Sequence, residues 1–77
     1  MRVTVELYGN LRKYIKDGDK RIEVEVEAGT TVGGLMTQLG VSNDATWNAS
    51  LDGKLVYPGD FLTEGAALLV FPPLAGG

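Results

Sequence analysis

The chain has 77 residues, which allows one small domain and leaves no room for a large catalytic cavity. It contains neither cysteine nor histidine, so disulfides, imidazole or thiolate metal sites, and Ser-His or Cys-His nucleophile pairs are excluded. A formal net charge of -3 argues against a nucleic-acid-binding surface, and no apolar run approaches the length of a transmembrane helix.

The first half of the sequence opens with two segments that alternate between apolar and polar residues, a pattern typical of half-buried strands. In RVTVELY, the apolar residues Val3, Val5 and Leu7 are expected to lie on the inward face of a strand. RIEVEVEAG shows the same pattern with Ile22, Val24 and Val26. The polar segment between them contains Asp17-Gly18 and predicts a loop that closes an antiparallel hairpin. Because the N-terminal segment is a strand and not a signal peptide, we expect a cytoplasmic protein.

The segment TTVGGLMTQLG changes to the period of a helix. Its apolar residues follow the i, i+3, i+4, i+7 spacing: Val32, Leu35, Met36 and Leu39. Thr30 or Thr31 is expected to cap the N-terminus through its hydroxyl, and Gly40 to end the helix in the left-handed conformation. Gly33 and Gly34 weaken the helix, which should therefore be short and packed against a sheet.

The second half predicts a hairpin, turns and a final strand. ASLDGKLV has Asp52-Gly53 as a two-residue turn, and YPGD predicts another turn. Phe61 and Leu62 are expected to place an irregular segment under the sheet. AALLVF is apolar without alternation, which suits a central strand covered on both faces, and Pro72 ends its ladder because it has no N–H.

These elements predict an α+β domain in which one helix covers a mixed sheet and the last strand lies in the middle. The chain is expected to form one domain over 1–77. Its folded body is 1–73, and 74–77 is a mobile C-terminal tail.

The element order, the length and above all LLVFPPLAGG resemble the MoaD/ThiS family of ubiquitin-like sulfur carriers, most closely the MoaD type. The segment YGNLRKY resembles that family's aromatic–Gly–x–hydrophobic–Arg stretch, through Tyr8, Gly9, Leu11 and Arg12. SLDGK resembles its strand-turn-strand segment. The resemblance covers the whole chain and implies a β-grasp fold, with four to five strands and one helix.

The resemblance also implies the chemistry of the C-terminus. The carboxylate of Gly77, next to Gly76, would be adenylated and then thiocarboxylated. Because the resemblance is closest to the MoaD type, the implied pathway is molybdopterin biosynthesis. ATP would be used by the activating enzyme, and the carrier itself would bind no cofactor or metal and would not be an enzyme. The implied partners are an E1-like adenylyltransferase of the MoeB/ThiF type, a molybdopterin synthase large subunit of the MoaE type, and a sulfur donor such as a cysteine desulfurase or rhodanese.

The residue types near the C-terminus suit that role. Glycine lets a partner approach the backbone closely, and the Pro-Pro pair favours an extended path that loses less entropy on binding. The residues that we predict to contact partners are Phe71, Pro72, Pro73, Leu74, Ala75, Tyr8, Leu11 and Arg12.

Several alternatives stay open at this stage. Tyr8, Leu11 and Phe71 belong either to the core or to an exposed apolar patch. A basic group is either a solvated loop or a docking patch for an acidic partner: Arg12, Lys13, Lys16, Lys20 and Arg21. Trp47 is expected to be a packing residue. Alternative functions are a ubiquitin-like modifier conjugated through Gly77 to lysines, a carrier for thiamin thiazole, cysteine or tRNA thiolation, and an interaction module with an inert tail.

Overall fold

The computed structural model describes residues 1–15, 21–41 and 46–73. Its elements in chain order are β1 (Arg2–Leu7), a 3₁₀ helix (Gly9–Tyr14), β2 (Arg21–Glu25), α1 (Val32–Gln38), β3 (Asn48–Leu51), β4 (Lys54–Val56) and β5 (Ala67–Phe71). The five strands form one sheet in the order β2-β1-β5-β3-β4. β1 and β5 are parallel, and the other neighbouring pairs are antiparallel. The predicted mixed sheet with one α-helix is therefore confirmed.

β5 is the central strand, as its apolar sequence predicted. It pairs with β1 on one side and with β3 on the other. Leu68 and Val70 are fully buried on one face. The alternate residues point to the opposite face and are only half-buried: Ala67, Leu69 and Phe71. The expectation of a strand covered on both faces is thus right for one face and wrong for the other, because α1 lies on one side only.

The core lies between α1 and the sheet. β1 contributes Val3, Val5 and Leu7 to it, and α1 contributes Val32, Leu35 and Met36. Leu39 packs against this cluster while remaining partly exposed. Since the helix has only seven residues, its stability comes from this packing and not from intrinsic propensity.

The start of α1 is fixed by a cap and by a close contact. Thr31, one of the two predicted caps, accepts a hydrogen bond from the N–H of Gly34 at 3.0 Å through its hydroxyl oxygen. The N–H of Gly33 donates to the carbonyl of Pro58 at 2.9 Å, and a Cβ at Gly33 would lie 3.2 Å from the Pro58 ring. The glycine that weakens the helix therefore permits a close approach of the YPGD turn.

The end of α1 is the predicted glycine stop. Gly40 has φ +88, and its N–H donates to the carbonyl of Thr37 at 3.0 Å. The N–H of Val41 donates to the carbonyl of Met36, also at 3.0 Å. This pair of bonds is a Schellman motif, which satisfies carbonyls that the helix leaves free.

The connection after β1 differs from the predicted loop. Gly9–Tyr14 forms a 3₁₀ helix that places Leu11 in the core, and Ile15 after it is buried as well. Because most residues of this segment are polar, its composition did not indicate that Leu11 and Ile15 would be buried in the core. The antiparallel pairing of β1 with β2 is confirmed, whereas Asp17-Gly18 lies outside the described residues.

The Asp52-Gly53 turn is confirmed, and it also contacts the central strand. Both residues have positive φ, +50 and +88, as a type I′ turn requires. The backbone N–H of Asp52 donates to the carbonyl of Ala67, and a side-chain oxygen of Asp52 accepts from the Ala67 N–H, both at 2.9 Å. The hairpin is thereby attached to the start of β5.

The segment before β5 buries only one of the two residues predicted to lie under the sheet. Leu62 is 4% exposed, but Phe61 is 66% exposed. In an extended backbone neighbouring side chains point to opposite sides, so only one of the pair can face the core. The prediction for Phe61 is therefore wrong. The prediction of Trp47 as a packing residue is confirmed, because it packs against the core cluster.

The predicted mobile tail, 74–77, lies outside the described residues. None of the helices in the described ranges has the length and apolar character needed to cross a membrane.

The central strand should dominate stability. Leu68→Ala removes a side chain that is 0% exposed, so we expect a loss of about 2–5 kcal/mol in the free energy of unfolding, measured by urea titration. Leu55→Ala is the matched control, because Leu55 is 58% exposed, and it should change stability by less than about 1 kcal/mol. Equal losses for the two variants would contradict the assignment of β5 to the core.

Candidate functional site

The face of the sheet opposite α1 carries the candidate site, and we call it the outer face. The strand register places one row of residues across all five strands: Arg21, Glu6, Leu69, Ser50 and Leu55. Phe71 lies two residues after Leu69 and therefore on the same face, where it pairs with Asn48 of β3.

The centre of the outer face is apolar and accessible. Leu69 and Phe71 are half-buried on β5, and Leu55 on the edge strand β4 is 58% exposed. Polar residues, Glu6 and Ser50, flank Leu69 on the neighbouring strands. An apolar patch with a polar rim on a small protein is typical of a protein-docking surface.

The chain leaves the sheet at one end of this face. Phe71 is the last residue of the ladder, Pro72 is half-buried and Pro73 is exposed. Since β5 runs parallel to β1, its end lies beside the end of β1, where the N–H of Tyr8 donates to the carbonyl of Val70 at 2.9 Å. A partner that covers the outer face would therefore also contact the base of the tail.

A hydrogen-bonded charged group lies at the β1–β2 side of the outer face. Arg21 contacts one carboxylate oxygen of Glu6 through two nitrogens, at 2.9 Å and 2.7 Å. The hydroxyl of Tyr8 donates to the other oxygen. The side chain of Glu6 is 14% exposed and that of Arg21 is 67% exposed, so the carboxylate is partly withdrawn from water while its partner remains accessible.

This arrangement changes the acidity of Tyr8. Its hydrogen bond to the Glu6 carboxylate raises the pKa of the Tyr8 hydroxyl, with smaller contributions from burial and from the negative charge of Glu6; the positive charge of Arg21 opposes the shift. The bond holds Tyr8 neutral and oriented as a donor. The group can therefore help to orient a partner on the outer face.

The predicted contact residues separate into three groups. Tyr8, Phe71, Pro72 and Pro73 lie together where the chain leaves the sheet. Leu11 is 4% exposed and Arg12 is exposed on the 3₁₀ helix. Of the two alternatives for Leu11, the structure places it in the core, so it adds no area to the outer face. The others lie outside the described residues: Leu74, Ala75, Gly76 and Gly77.

The described members of the predicted basic group belong to two elements. Arg21 belongs to the outer face through its ion pair with Glu6, whereas Arg12 and Lys13 are exposed in the last turn of the 3₁₀ helix. The ammonium of Lys13 lies 5.4 Å from the centre of the Tyr14 ring. Lys16 and Lys20 fall in the undescribed range.

Sequence reasoning missed Leu69, Ser50 and Leu55 as members of the outer face. AALLVF does not alternate, so it conceals which of its residues point away from the core. The Asp52-Gly53 turn does determine the pairing of β3 with β4, but the pairing of β3 with β5 bridges residues far apart in sequence. Only that long-range register brings the three residues into one row.

Within 1–15, 21–41 and 46–73, no group of three or more Asp, Glu, His or Cys side chains could hold a metal ion. The described part of the molecule thus offers an accessible apolar surface and the base of a tail.

Comparisons with known proteins extend this picture. Residues 5–77 match the ThiS family. A comparison with curated protein sequences gave no significant match.

Solved structures show the same fold at low sequence identity. Small archaeal modifier protein 1 from Haloferax volcanii has a TM-score of 0.76 at 22% identity, with 95% of this chain and 98% of that chain covered. A putative molybdopterin converting factor subunit 1 from Pyrococcus furiosus has a TM-score of 0.75 at 23% identity, with 95% and 98% covered. A chain in a complex of subunits 1 and 2 of molybdopterin-converting factor from Helicobacter pylori has a TM-score of 0.65 at 19% identity, with 100% of both chains covered. The ubiquitin-like β-grasp fold is therefore confirmed.

The hydrogen bond between Tyr8 and Glu6 leads to a testable pH dependence. Glu6→Gln removes the negative charge that favours the neutral hydroxyl, so the pKa of Tyr8 should fall toward or below the usual tyrosine value of about 10. The measurement is an NMR titration of the Tyr8 ring carbon that bears the hydroxyl. Glu23→Gln, which removes a charge without touching this bond, is the control. A Tyr8 pKa that is unchanged in Glu6→Gln would contradict the assigned cause.

Proposed function

The chain belongs to the ThiS family of ubiquitin-like sulfur carriers, and on that premise we propose that it carries sulfur as a thiocarboxylate on Gly77. One observation carries the proposal: the family match begins at residue 5 and runs through residue 77, so it includes both the folded body and the terminal Gly-Gly. In a chain without cysteine or histidine, the terminal carboxylate is the group that an activating enzyme can make reactive.

The proposed chemistry has two steps. In the first, an oxygen of the Gly77 carboxylate attacks the α-phosphorus of ATP, and pyrophosphate leaves to give an acyl-adenylate. In the second, a sulfur nucleophile of the hydrosulfide class attacks the carbonyl carbon, AMP leaves with its electron pair, and a proton is released. The net result replaces one carboxylate oxygen with sulfur. Both steps occur in an E1-like adenylyltransferase, which supplies the catalytic groups, and this chain supplies the reacting carbon.

The geometry of the body supports this division of roles. The outer face offers an apolar docking surface, and the chain leaves that surface at Pro72. When fully extended, the five residues from 73 to 77 reach about 17 Å. A partner that binds the outer face can therefore hold an active site at that distance and receive the carboxylate there.

The residue types of the tail suit a narrow channel. Gly76 and Gly77 have no Cβ, so a partner can surround the backbone closely. Pro72 and Pro73 restrict the chain at the base of the tail, which reduces the entropy lost when it is bound. Leu74 can occupy an apolar subsite beside the small Ala75.

We propose molybdopterin biosynthesis as the pathway and a molybdopterin synthase large subunit as the sulfur-accepting partner. Support comes from the resemblance of LLVFPPLAGG to MoaD-type carriers and from the fold shared with two converting-factor subunits, one of them in complex with subunit 2. A cysteine desulfurase or rhodanese would supply the sulfur as a persulfide, from which a thiol reductant releases hydrosulfide and is itself oxidised to a disulfide. In this scheme the chain is the small, non-catalytic subunit.

A second candidate function is conjugation to other proteins. The fold shared with small archaeal modifier protein 1 supports it, and the same acyl-adenylate begins both routes. In conjugation, the activated carbonyl of Gly77 forms an amide with a lysine amine of a target. Immunoblots of cell extracts separate the two functions, because a modifier gives higher-mass forms and a dedicated sulfur carrier gives one unconjugated band.

The carrier function predicts a defined covalent product. Incubation with an E1-like adenylyltransferase, ATP and sulfide should raise the intact mass by one oxygen-to-sulfur exchange, measured by mass spectrometry. A variant without Gly76 and Gly77 should show no gain, since its new terminus lacks the two residues that enter the active site. If the full chain gains no mass under conditions that convert a known carrier, the proposal is wrong.

The outer face should determine affinity for the activating enzyme. Leu69→Glu places a charge at its centre, and loss of the burial of one leucine, about 1.5–3 kcal/mol, should weaken binding by roughly 10- to 100-fold. Leu55→Glu tests the same surface at a position that is 58% exposed, where folding is not at risk. Binding is measured by calorimetry on chains that lack 74–77, so that only docking of the body is observed.

Thr37→Glu adds the same charge on the exposed side of α1 and serves as the control. It should leave the affinity unchanged. Equal weakening by Thr37→Glu and by the two outer-face variants would indicate a non-specific charge effect and would contradict the assigned docking surface.

A further inference from the structure

Gly9 has a conformation and a neighbour that together distinguish it from the other glycines that the structure describes. It opens the 3₁₀ helix with φ +61, and a Cβ on it would lie 2.7 Å from Cγ and 3.2 Å from Cδ of Pro72. Four other glycines in the described ranges also have positive φ, but a Cβ on any of them would meet nothing within 4 Å: Gly29, Gly40, Gly53 and Gly65. At Gly9 the missing side chain therefore matters for contact as well as for φ.

The contacted atoms belong to a ring that is part of the main chain. Cδ of Pro72 is bonded to the backbone nitrogen, so the ring cannot rotate away from an obstacle as a flexible side chain does. Pro72 also has no N–H to donate to a neighbouring strand, and the ladder of β5 ends one residue earlier, at Phe71. Displacing the ring would therefore displace the backbone at the base of the tail.

The backbone around Gly9 is attached to the rest of the fold on both sides. The N–H of Tyr8 donates to the carbonyl of Val70 at 2.9 Å, and the N–H of Leu11 donates to the carbonyl of Tyr8 at 3.2 Å. Leu11 is in the core at 4% exposure. Gly9 thus has a defined position relative to β5, because its neighbour Tyr8 is bonded to Val70, which lies two residues before Pro72.

We infer that Gly9 is a positioning residue for the C-terminus: its surface supports the Pro72 ring and sets the direction in which the chain leaves the body at Pro72 and Pro73. The consequence for activity rests on the proposed function. A carboxylate that must enter an active site while the outer face is docked reacts at a rate that depends on how often it points there. Gly9 touches no reacting atom and acts through Pro72.

The direction of the tail can be measured on the free protein. Because the chain has no cysteine, Ser50→Cys allows one nitroxide label on the outer face. Ser50 pairs with Leu69, three residues before Pro72, or about 10 Å along the strand. Paramagnetic broadening of the backbone amides of Gly76 and Gly77 then reports their mean distance from the label.

Gly9→Ala should change this broadening measurably, because paramagnetic broadening varies with the inverse sixth power of the distance between the label and the amide. Gly65→Ala is the matched control: at φ +75 it imposes a similar backbone strain, but its Cβ meets nothing within 4 Å. It should leave the tail broadening unchanged. Unaltered broadening in folded Gly9→Ala would overturn the inference.

Pro72→Ala removes the two ring atoms that Gly9 contacts and provides a second test. By itself it should alter the broadening, and in its background Gly9→Ala should have little further effect, because the obstacle has been removed. If Gly9→Ala alone does not fold, Pro72→Ala alone still tests whether the Pro72 ring sets the direction of the chain, which the inference requires. Broadening identical to that of the unsubstituted chain would overturn the inference.

The activity measurement separates this inference from the proposed function. With the E1-like adenylyltransferase, Gly9→Ala should lower kcat for adenylation by roughly tenfold, while the affinity of the body lacking 74–77 stays unchanged. If the unsubstituted chain is not adenylated, the proposed function fails and the broadening result still stands. If Gly9→Ala is adenylated as fast as the unsubstituted chain, the positioning role fails and the carrier function stands.

Discussion

The backbone pairing of β5 with β1 and β3 is the interaction on which the rest of the structure depends. It places the most apolar segment of the chain at the centre of the sheet, where Leu68 and Val70 are buried against α1. The same pleat turns Leu69 and Phe71 to the outer face. Because β5 is parallel to β1, its last residues lie beside Tyr8 and Gly9, and the tail begins there. The central position of β5 therefore determines the core, the apolar outer face and the place where the chain leaves the sheet.

The body and the C-terminus have separate physical tasks. In the described body no group of three or more Asp, Glu, His or Cys side chains could hold a metal, and its outer face offers apolar area beside the Glu6–Arg21–Tyr8 group. Such a surface suits recognition, since apolar burial supplies affinity and the charged group can orient the partner. The reacting carbon in the proposed function belongs to Gly77, which has no side chain to obstruct an enzyme. A single domain of this size can then serve more than one partner through the same face and the same end.

Much of the fold could be predicted from local patterns, and the failures have local causes. Alternation identified β1, and the helical spacing with Thr31 and Gly40 identified α1 with both ends, because caps and periodicity are written in neighbouring residues. The interpretation of GNLRKY as a loop was wrong. Most of its residues are polar or glycine, and this composition conceals the 3₁₀ helix that buries Leu11. Phe61 was predicted to be buried because hydrophobicity does not reveal which of two adjacent residues faces inward.

The sequence by itself determined the composition of the domain and the match to its family, and its segment FPPLAGG led to the proposal that Gly77 is the reactive end. Those features require only the order of residues. The tertiary structure alone decided that Leu69, Ser50 and Leu55 form one row, and that Gly9 lies against Pro72. Both depend on strand register between segments far apart in the chain. Register is set by the simultaneous burial of many side chains, so no single segment specifies it.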